Sequence, residues 1–233
     1  MPMYHKLGKL PQKRHTVFEK EGGGLYFEEL MGNKGFSGPS SLLYHVHRPT
    51  RLTGSKLLTR GGYEADPDET LKMRHFRLGR LEAGGSLTFD RHPVLFNQDV
   101  AIALALPTAS DEAFYKNGQA DEILFVADGA GVLESICGTL RYRRGDYLVI
   151  PRGITYRLRL DEGVAHRVLV VETPSYVRTP KRYRNEHGQL LEHSPFCERD
   201  LRLPDELPVH EELGEFKVVI KARDTLTEVT MDH

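Results

Sequence analysis

What this chain of 233 residues lacks narrows its function before any motif is read. It has two cysteines, Cys137 and Cys197, sixty positions apart. That is no disulfide framework. The opening Met-Pro-Met-Tyr-His-Lys-Leu-Gly-Lys-Leu has no apolar h-region of a secretory signal. No apolar run approaches the roughly 18 residues that a membrane-spanning helix needs. An excess of one charge is missing as well: 32 Lys and Arg against 33 Asp and Glu leave a net charge of −1. Nucleic-acid binding relies on surplus positive charge, and the short basic clusters at 141–144 and 181–184 read as solvated strand faces. These absences predict a cytoplasmic, reduced protein with neither a nucleic-acid nor a membrane partner. Long helical periodicity is also nearly absent, which leaves strands to build the fold.

The strand signals are plentiful. Glycine (22) and proline (13) are spread along the chain, with short β-branched and aromatic runs between them. Residues 25–31 read as a short strand or a helical turn. Residues 74–81 alternate polar and apolar, with Phe76 and Leu78 two apart, as a half-buried strand requires. Residues 86–89 and 94–96 continue the pattern, split by Asp90-Arg91-His92-Pro93. Residues 100–106 form a continuous apolar run ended by Pro107, which predicts a strand buried on both faces. Strands follow at 123–126, 132–136, 139–142, 147–150, 155–160 and 166–171, with a turn at Asp128-Gly-Ala-Gly131 and corners at Gly138 and Gly145-Asp146. Short strands at this spacing mean a sandwich or barrel. Residues 174–212, rich in Pro, Arg, Glu and His, read as an extended arm over a surface. A last strand starts at 217–222, and the abrupt stop at His233 reads as the first part of a longer protein. The expected division is an N-terminal β-rich region (1–106), a barrel core (107–174), and an arm with a lead-in strand (175–233).

The most informative stretch is 121–156. Glu122 is separated by six residues from Gly129, and Gly145, Pro151 and Gly153 lie at Gly-x5-Pro-x-Gly spacing, with Tyr156 three positions on. This resembles the two-motif frame of a cupin metal site, which implies an all-β, cupin-like β-barrel (double-stranded β-helix or jelly roll). The metal-binding histidines of that frame are absent. The first pair should fall near Tyr115 to Gly118, which reads Tyr-Lys-Asn-Gly, and the third position holds Tyr156. A frame kept without its ligands points to a barrel retained for architecture.

Longer stretches resemble one family in order and spacing. They are Tyr4-His5-Lys6-Leu7-Gly8 with Pro11, Lys13-Arg14-His15-Thr16 and Phe18; Glu29-Leu-Met-Gly32 with Gly35-Phe-Ser-Gly38 and Ser41-Leu-Leu-Tyr-His45; residues 150–157; and His193-Ser-Pro-Phe196 with Glu198-Arg-Asp200. Together they resemble the bacterial homogentisate 1,2-dioxygenases. The resemblance implies a pair of cupin-like barrels, assembly into homo-oligomers, and cleavage of the homogentisate ring by O₂ at a non-haem Fe(II) centre in tyrosine and phenylalanine breakdown. Two His and a Glu hold that iron, the two-histidine, one-carboxylate arrangement of such oxygenases. The resemblance places these ligands beyond His233, so no catalytic, cofactor-binding or metal residue is assigned within these 233 positions.

Other candidates were weighed from the residues themselves. His45-Val46-His47 is the only His-x-His; two imidazoles two apart on a strand face the same way, and Glu29, His75 or His92 could supply a third ligand. Asp121 and Glu122 could serve as acid or base, or simply as turn acids. Tyr156 could bind iron as a phenolate. Cys137 reads as a small buried hydrophobe, and the arm histidines His187, His193 and His210 as surface contacts. Two other functions fit the pattern: a non-catalytic cupin binding module, and a metal-independent enzyme of the sugar-epimerase type. The latter needs a His–acid pair in the barrel, and 123–160 contains no His.

Overall fold

The computed structural model describes Leu7 and residues 18–38, 40–60 and 62–233. The motif pieces at 4–6 and 8–16 lie outside the described residues. Within them the chain runs through β1 (Phe27–Phe36), β2 (Ser40–His45), β3 (Leu52–Arg60), β4 (His92–Phe96), β5 (Ala101–Ala105), β6 (Phe114–Asn117), β7 (Asp121–Asp128), β8 (Ala130–Ser135), β9 (Gly138–Arg143), β10 (Tyr147–Ile150), β11 (Thr155–Leu160), β12 (Arg167–Thr173), β13 (Phe216–Ala222) and β14 (Thr225–Met231). Three short 3-10 turns are the only helical pieces described.

The strands form a two-stranded sheet β1-β2, a five-stranded sheet ordered β10-β7-β12-β5-β4, and a seven-stranded sheet ordered β3-β14-β13-β6-β11-β8-β9. From β5 to β12 the chain switches between the two larger sheets at every step except the β8–β9 hairpin. That alternation is the winding of a double-sheet jelly roll. The two sheets share one core, in which Leu124, Val126, Leu148, Val168 and Val170 meet Leu133, Tyr142, Tyr156 and Leu158. The fold is a cupin-type β-barrel, as the Gly–Pro–Gly frame predicts.

Side-chain alternation explains the core. Every second residue of a strand faces one side. In β7 the inward set is Glu122, Leu124 and Val126; in β12 it is Val168, Val170 and Glu172; in β11 it is Tyr156 and Leu158. Each fully buried aliphatic side chain contributes about 1.5–3 kcal/mol. The corners are glycines for a physical reason at two positions. Gly145 has φ +91°, a conformation most L-residues avoid. Gly138 has φ +113°, and a Cβ there would stand 2.2 Å from the Glu206 carbonyl oxygen.

Several sequence expectations are corrected. Residues 74–77 form no strand and 78–80 are a 3-10 turn, with Phe76 half exposed. The alternation at 74–81 therefore has no sheet partner to pair with. Residues 86–89 are a tight loop rather than a strand. The turn expected at 128–131 is shorter, because β8 already begins at Ala130 and Gly129 alone makes the corner. Residues 181–183 are a 3-10 turn, not a strand face. The last strand has a partner: β14 pairs antiparallel with β13 through a two-residue turn in which Arg223 and Asp224 take positive φ. In the 174–212 segment the Glu206 carbonyl accepts the Thr139 N–H of β9 at 3.2 Å. β3, β6, β13 and β14 belong to one sheet, so all three expected segments contribute to it.

Candidate functional site

The loop before β4 builds the site. Gly85 takes φ +63°, and the Ser86 N–H donates to the Asp90 carboxylate at 2.7 Å. From the far side, the Thr88 N–H and hydroxyl both donate to Asp111, at 3.2 and 2.5 Å. Asp111 is fully buried and also accepts the Leu158 N–H of β11 at 2.9 Å. The loop is thus clamped to the barrel wall at its middle. Arg91 follows immediately. Its Nε donates to the Leu87 carbonyl at 3.1 Å, which turns the guanidinium into the barrel.

There Arg91 Nη1 donates to Glu122 Oε1 at 2.5 Å and to Glu172 Oε1 at 3.0 Å, and Nη2 donates to the Tyr156 hydroxyl at 3.2 Å. The Tyr156 hydroxyl in turn donates to Glu122 Oε2 at 2.6 Å. Glu172 Oε2 takes Lys221 Nζ at 2.5 Å and Asn117 Nδ2 at 3.5 Å. The Arg91 guanidinium lies 5.7 Å from the Tyr115 ring centre, and Tyr115 meets Tyr156 edge to face at 5.6 Å. Two cations, Arg91 and Lys221, face two carboxylates, Glu122 and Glu172.

This cluster occupies the frame read from the sequence. The burial alternation of β6 places Tyr115 and Asn117 inward and Lys116 outward. Tyr115 and Asn117 thus stand where the first two histidines would be. Glu122 stands at the carboxylate position and Tyr156 at the last histidine position. Tyr115, Glu122 and Tyr156 contact Arg91, and Asn117 reaches Glu172.

The electrostatics are those of a closed ion network. Burial works against the Arg91 charge, but Glu122, Tyr156, Tyr115 and Glu172 together outweigh it and hold the guanidinium well above its usual pKa. Burial raises the Tyr156 and Tyr115 phenols, and Glu122 pushes both further up. Both keep their protons in this network, where the Tyr156 hydroxyl donates to Glu122. Burial opposes the Glu172 charge too, yet Arg91 and Lys221 hold its carboxyl below the usual range. Lys221 is raised by Glu172 against the penalty of burial.

These residues do not fit an iron. A divalent ion would need the oxygens of Glu122, which already bind Arg91 and Tyr156. It would also have to share the space with a guanidinium. Desolvated like charges repel strongly at such distances.

The remaining candidates are scattered. His45 Nε2 meets Glu29 Oε2 at 2.9 Å. His47, past the end of β2, contacts the Glu211 carbonyl at 3.3 Å and the His233 ring at 5.2 Å. The two imidazoles thus have different partners and do not converge. His75 and His193 are exposed, His92 sits in β4, and His187 and His210 lie beside Glu186 and Glu212 at 3.6 Å. No group of three or more His, Cys, Asp or Glu among the described residues is arranged to hold a metal ion. Asp121 is a backbone clamp rather than an acid or base: its carboxylate accepts the Arg152 N–H at 2.9 Å and the Val177 N–H at 2.7 Å. Cys137, half buried, has its thiol pKa raised by burial and by Glu29. His166, at the β12 end, contacts the Asp161 carbonyl, so no His–acid pair of the epimerase kind is formed there.

Sequence reasoning missed Arg91, Glu172, Lys221 and Tyr63, whose hydroxyl approaches Glu172 at 3.5 Å. Glu172 was detectable by parity, since it continues the inward set Val168, Val170. Arg91 carried no such signal, because hydrogen bonds rather than periodicity shape its loop.

No family model matches the chain. A Saccharolobus solfataricus protein named "Putative dioxygenase" is 38% identical over 235 residues, which covers 100% of this chain and 59% of that protein. This chain therefore spans a little over half the length of that relative. Among solved structures, a Bacteroides fragilis cupin protein is 14% identical over 39% of this chain and 81% of its own, with a TM-score of 0.34. A cupin-2 domain protein of Shewanella frigidimarina is 15% identical over 36% of this chain and 80% of its own, with a TM-score of 0.33. No helix among the described residues is long and apolar enough to cross a membrane.

Proposed function

We propose that this chain is the metal-free, structural barrel of a cupin dioxygenase, and that the whole protein is a cytoplasmic, homo-oligomeric homogentisate 1,2-dioxygenase. In this reading the Fe(II) ligands, the ring-cleaving chemistry and the contacts to homogentisate and O₂ lie in sequence beyond these residues. The barrel described here gives that part a rigid face to pack on. The observation that carries the proposal is the similarity to a longer dioxygenase along the full chain, together with a barrel whose metal position is filled by Arg91.

The binding-module alternative finds little room beside the buried network. The cavity that reaches Arg91, Tyr115, Glu172 and Lys221 measures only about 150 Å³, whereas small-molecule sites run to roughly 300–1,000 Å³.

Oxygen-electrode traces test the assignment. The 233-residue chain with Fe(II) and homogentisate should consume no O₂. A protein carrying this chain plus a downstream segment of the size found in the relative should consume it. Turnover by the short chain would overturn the division of roles. Failure of the long protein with homogentisate would remove that substrate.

A further inference from the structure

We propose that the Arg91 guanidinium is the resident cation of this barrel, held by Glu122, Glu172 and Tyr156 where the cupin frame carries its metal, and that removing it exposes a divalent-cation site made of those same oxygens. The inference stands on the barrel's geometry and does not depend on the activity proposed above.

Three observations carry it. First, one atom bridges two carboxylates: Nη1 lies 2.5 Å from Glu122 Oε1 and 3.0 Å from Glu172 Oε1. A cation placed near that point reaches oxygens from β7 and β12 at once. The Tyr156 oxygen, 3.2 Å from Nη2, adds a neutral donor from β11. Second, the donors are all oxygen, the set that suits hard cations such as Mn²⁺ or Mg²⁺ rather than thiophilic metals. Third, the charges close only with a cation present. Without Arg91, Glu122 and Glu172 face Lys221 alone, whose ammonium lies on the far oxygen of Glu172. Glu122 would then be left buried with only the Tyr156 hydroxyl, and an uncompensated buried charge is strongly destabilising. A cavity of about 150 Å³ lies beside Arg91.

The arginine and a metal are thus alternative solutions to one electrostatic problem. Both cross-link β7 and β12 through a positive centre. The guanidinium carries its own tether, through Leu87, and so makes the cross-link independent of metal supply.

Thermal unfolding with and without MnCl₂, paired with a Mn²⁺ binding titration, tests this. The wild type should show no Mn²⁺-dependent shift and bind no equivalent. Arg91→Ala should melt at least about 5 °C lower and recover most of that loss on saturation with one equivalent of Mn²⁺. Arg91→Ala/Glu122→Gln should not recover. Arg91→Lys, which keeps a cation, should fold and take up no Mn²⁺. Stoichiometric Mn²⁺ on the wild type would overturn the proposal, as would recovery that survives Glu122→Gln. A folded Arg91→Ala that ignores Mn²⁺ would show that the site neutralises by protonation instead, and would also overturn it. If Arg91→Ala fails to fold even with Mn²⁺ present, or Arg91→Lys fails to fold, the barrel needs the guanidinium's shape rather than a cation, and the proposal falls.

Discussion

Two contacts between a carboxylate and a basic side chain in this molecule have opposite standing. Glu122 with Arg91 sits inside the barrel, with side chains 0% and 7% exposed. Glu29 with His45 spans the β1–β2 hairpin, with side chains 26% and 25% exposed. The sequence draws attention to both acids and both lie near plausible metal ligands. The difference is the surroundings. In the barrel, three strands and a clamped loop converge on the pair, and water cannot replace a lost partner. On the hairpin, which pairs with no other sheet among the described residues, solvent can. Burial decides which contact organises the fold.

The contrast can be broken at several strengths. Arg91→Met removes the buried cation and leaves two carboxylates behind. Urea denaturation should show a loss of about 3–5 kcal/mol. A loss as small as that of a surface variant would erase the distinction between the two regions.

Tyr156→Phe is a finer probe, since it keeps the ring packing and deletes one donor to Glu122. The expected loss is about 1–3 kcal/mol, the penalty for a buried acceptor short of a partner.

Backbone strain gives a parallel contrast. Gly145→Ala meets open space and suffers only from its φ, at about 1–3 kcal/mol. Gly138→Ala adds a collision with the Glu206 carbonyl and should lose more, along with docking of the arm. Equal melting temperatures for the two variants would contradict the contact between arm and barrel.

The pH dependence sharpens the buried side further. Glu172 has a lowered pKa in the folded state. Its contribution is therefore complete above the unfolded value, about 4.3, and is lost as pH falls through the folded value. Lys221 is raised, so its contribution is complete below about 10.4 and is lost as pH climbs through the folded value. The stability gap between wild type and Glu172→Gln should be constant near neutrality and shrink below about pH 4. A gap that persists at pH 2 would show that the charge of Glu172 plays no part. On the hairpin, Glu29→Gln should change stability by less than about 1 kcal/mol, and a larger value would mean the hairpin is braced by contacts beyond the pair.

The sequence made some of this legible and hid the rest for physical reasons. β10 and β11 begin and end where the alternating pattern and the Gly–Pro–Gly frame place them. Period-two burial and positive-φ corners are local properties, written in adjacent residues. Glu122 and Tyr156 were found for the same reason, since the frame fixes their spacing. Arg91 was not, because its aim depends on Asp111, twenty residues away, and on Asp90 folding back to Ser86. β14 was hidden by its turn: Arg-Asp is not the Asn-Gly or Asp-Gly that marks a two-residue hairpin. The arm's path over β9 rests on the Thr139–Glu206 bridge and on Arg202, which donates to the Arg141 carbonyl at 3.0 Å and to the Asp146 carboxylate, contacts that no periodicity announces.

The account's central claim is that the barrel's metal position is already filled. The most direct measurement is the iron content of the 233-residue chain after anaerobic Fe(II) loading and desalting. The account predicts far less than one equivalent, with no difference between the wild type and Tyr156→Phe. Close to one equivalent of iron, lost on changing Glu122 to Gln or Tyr156 to Phe, would contradict it.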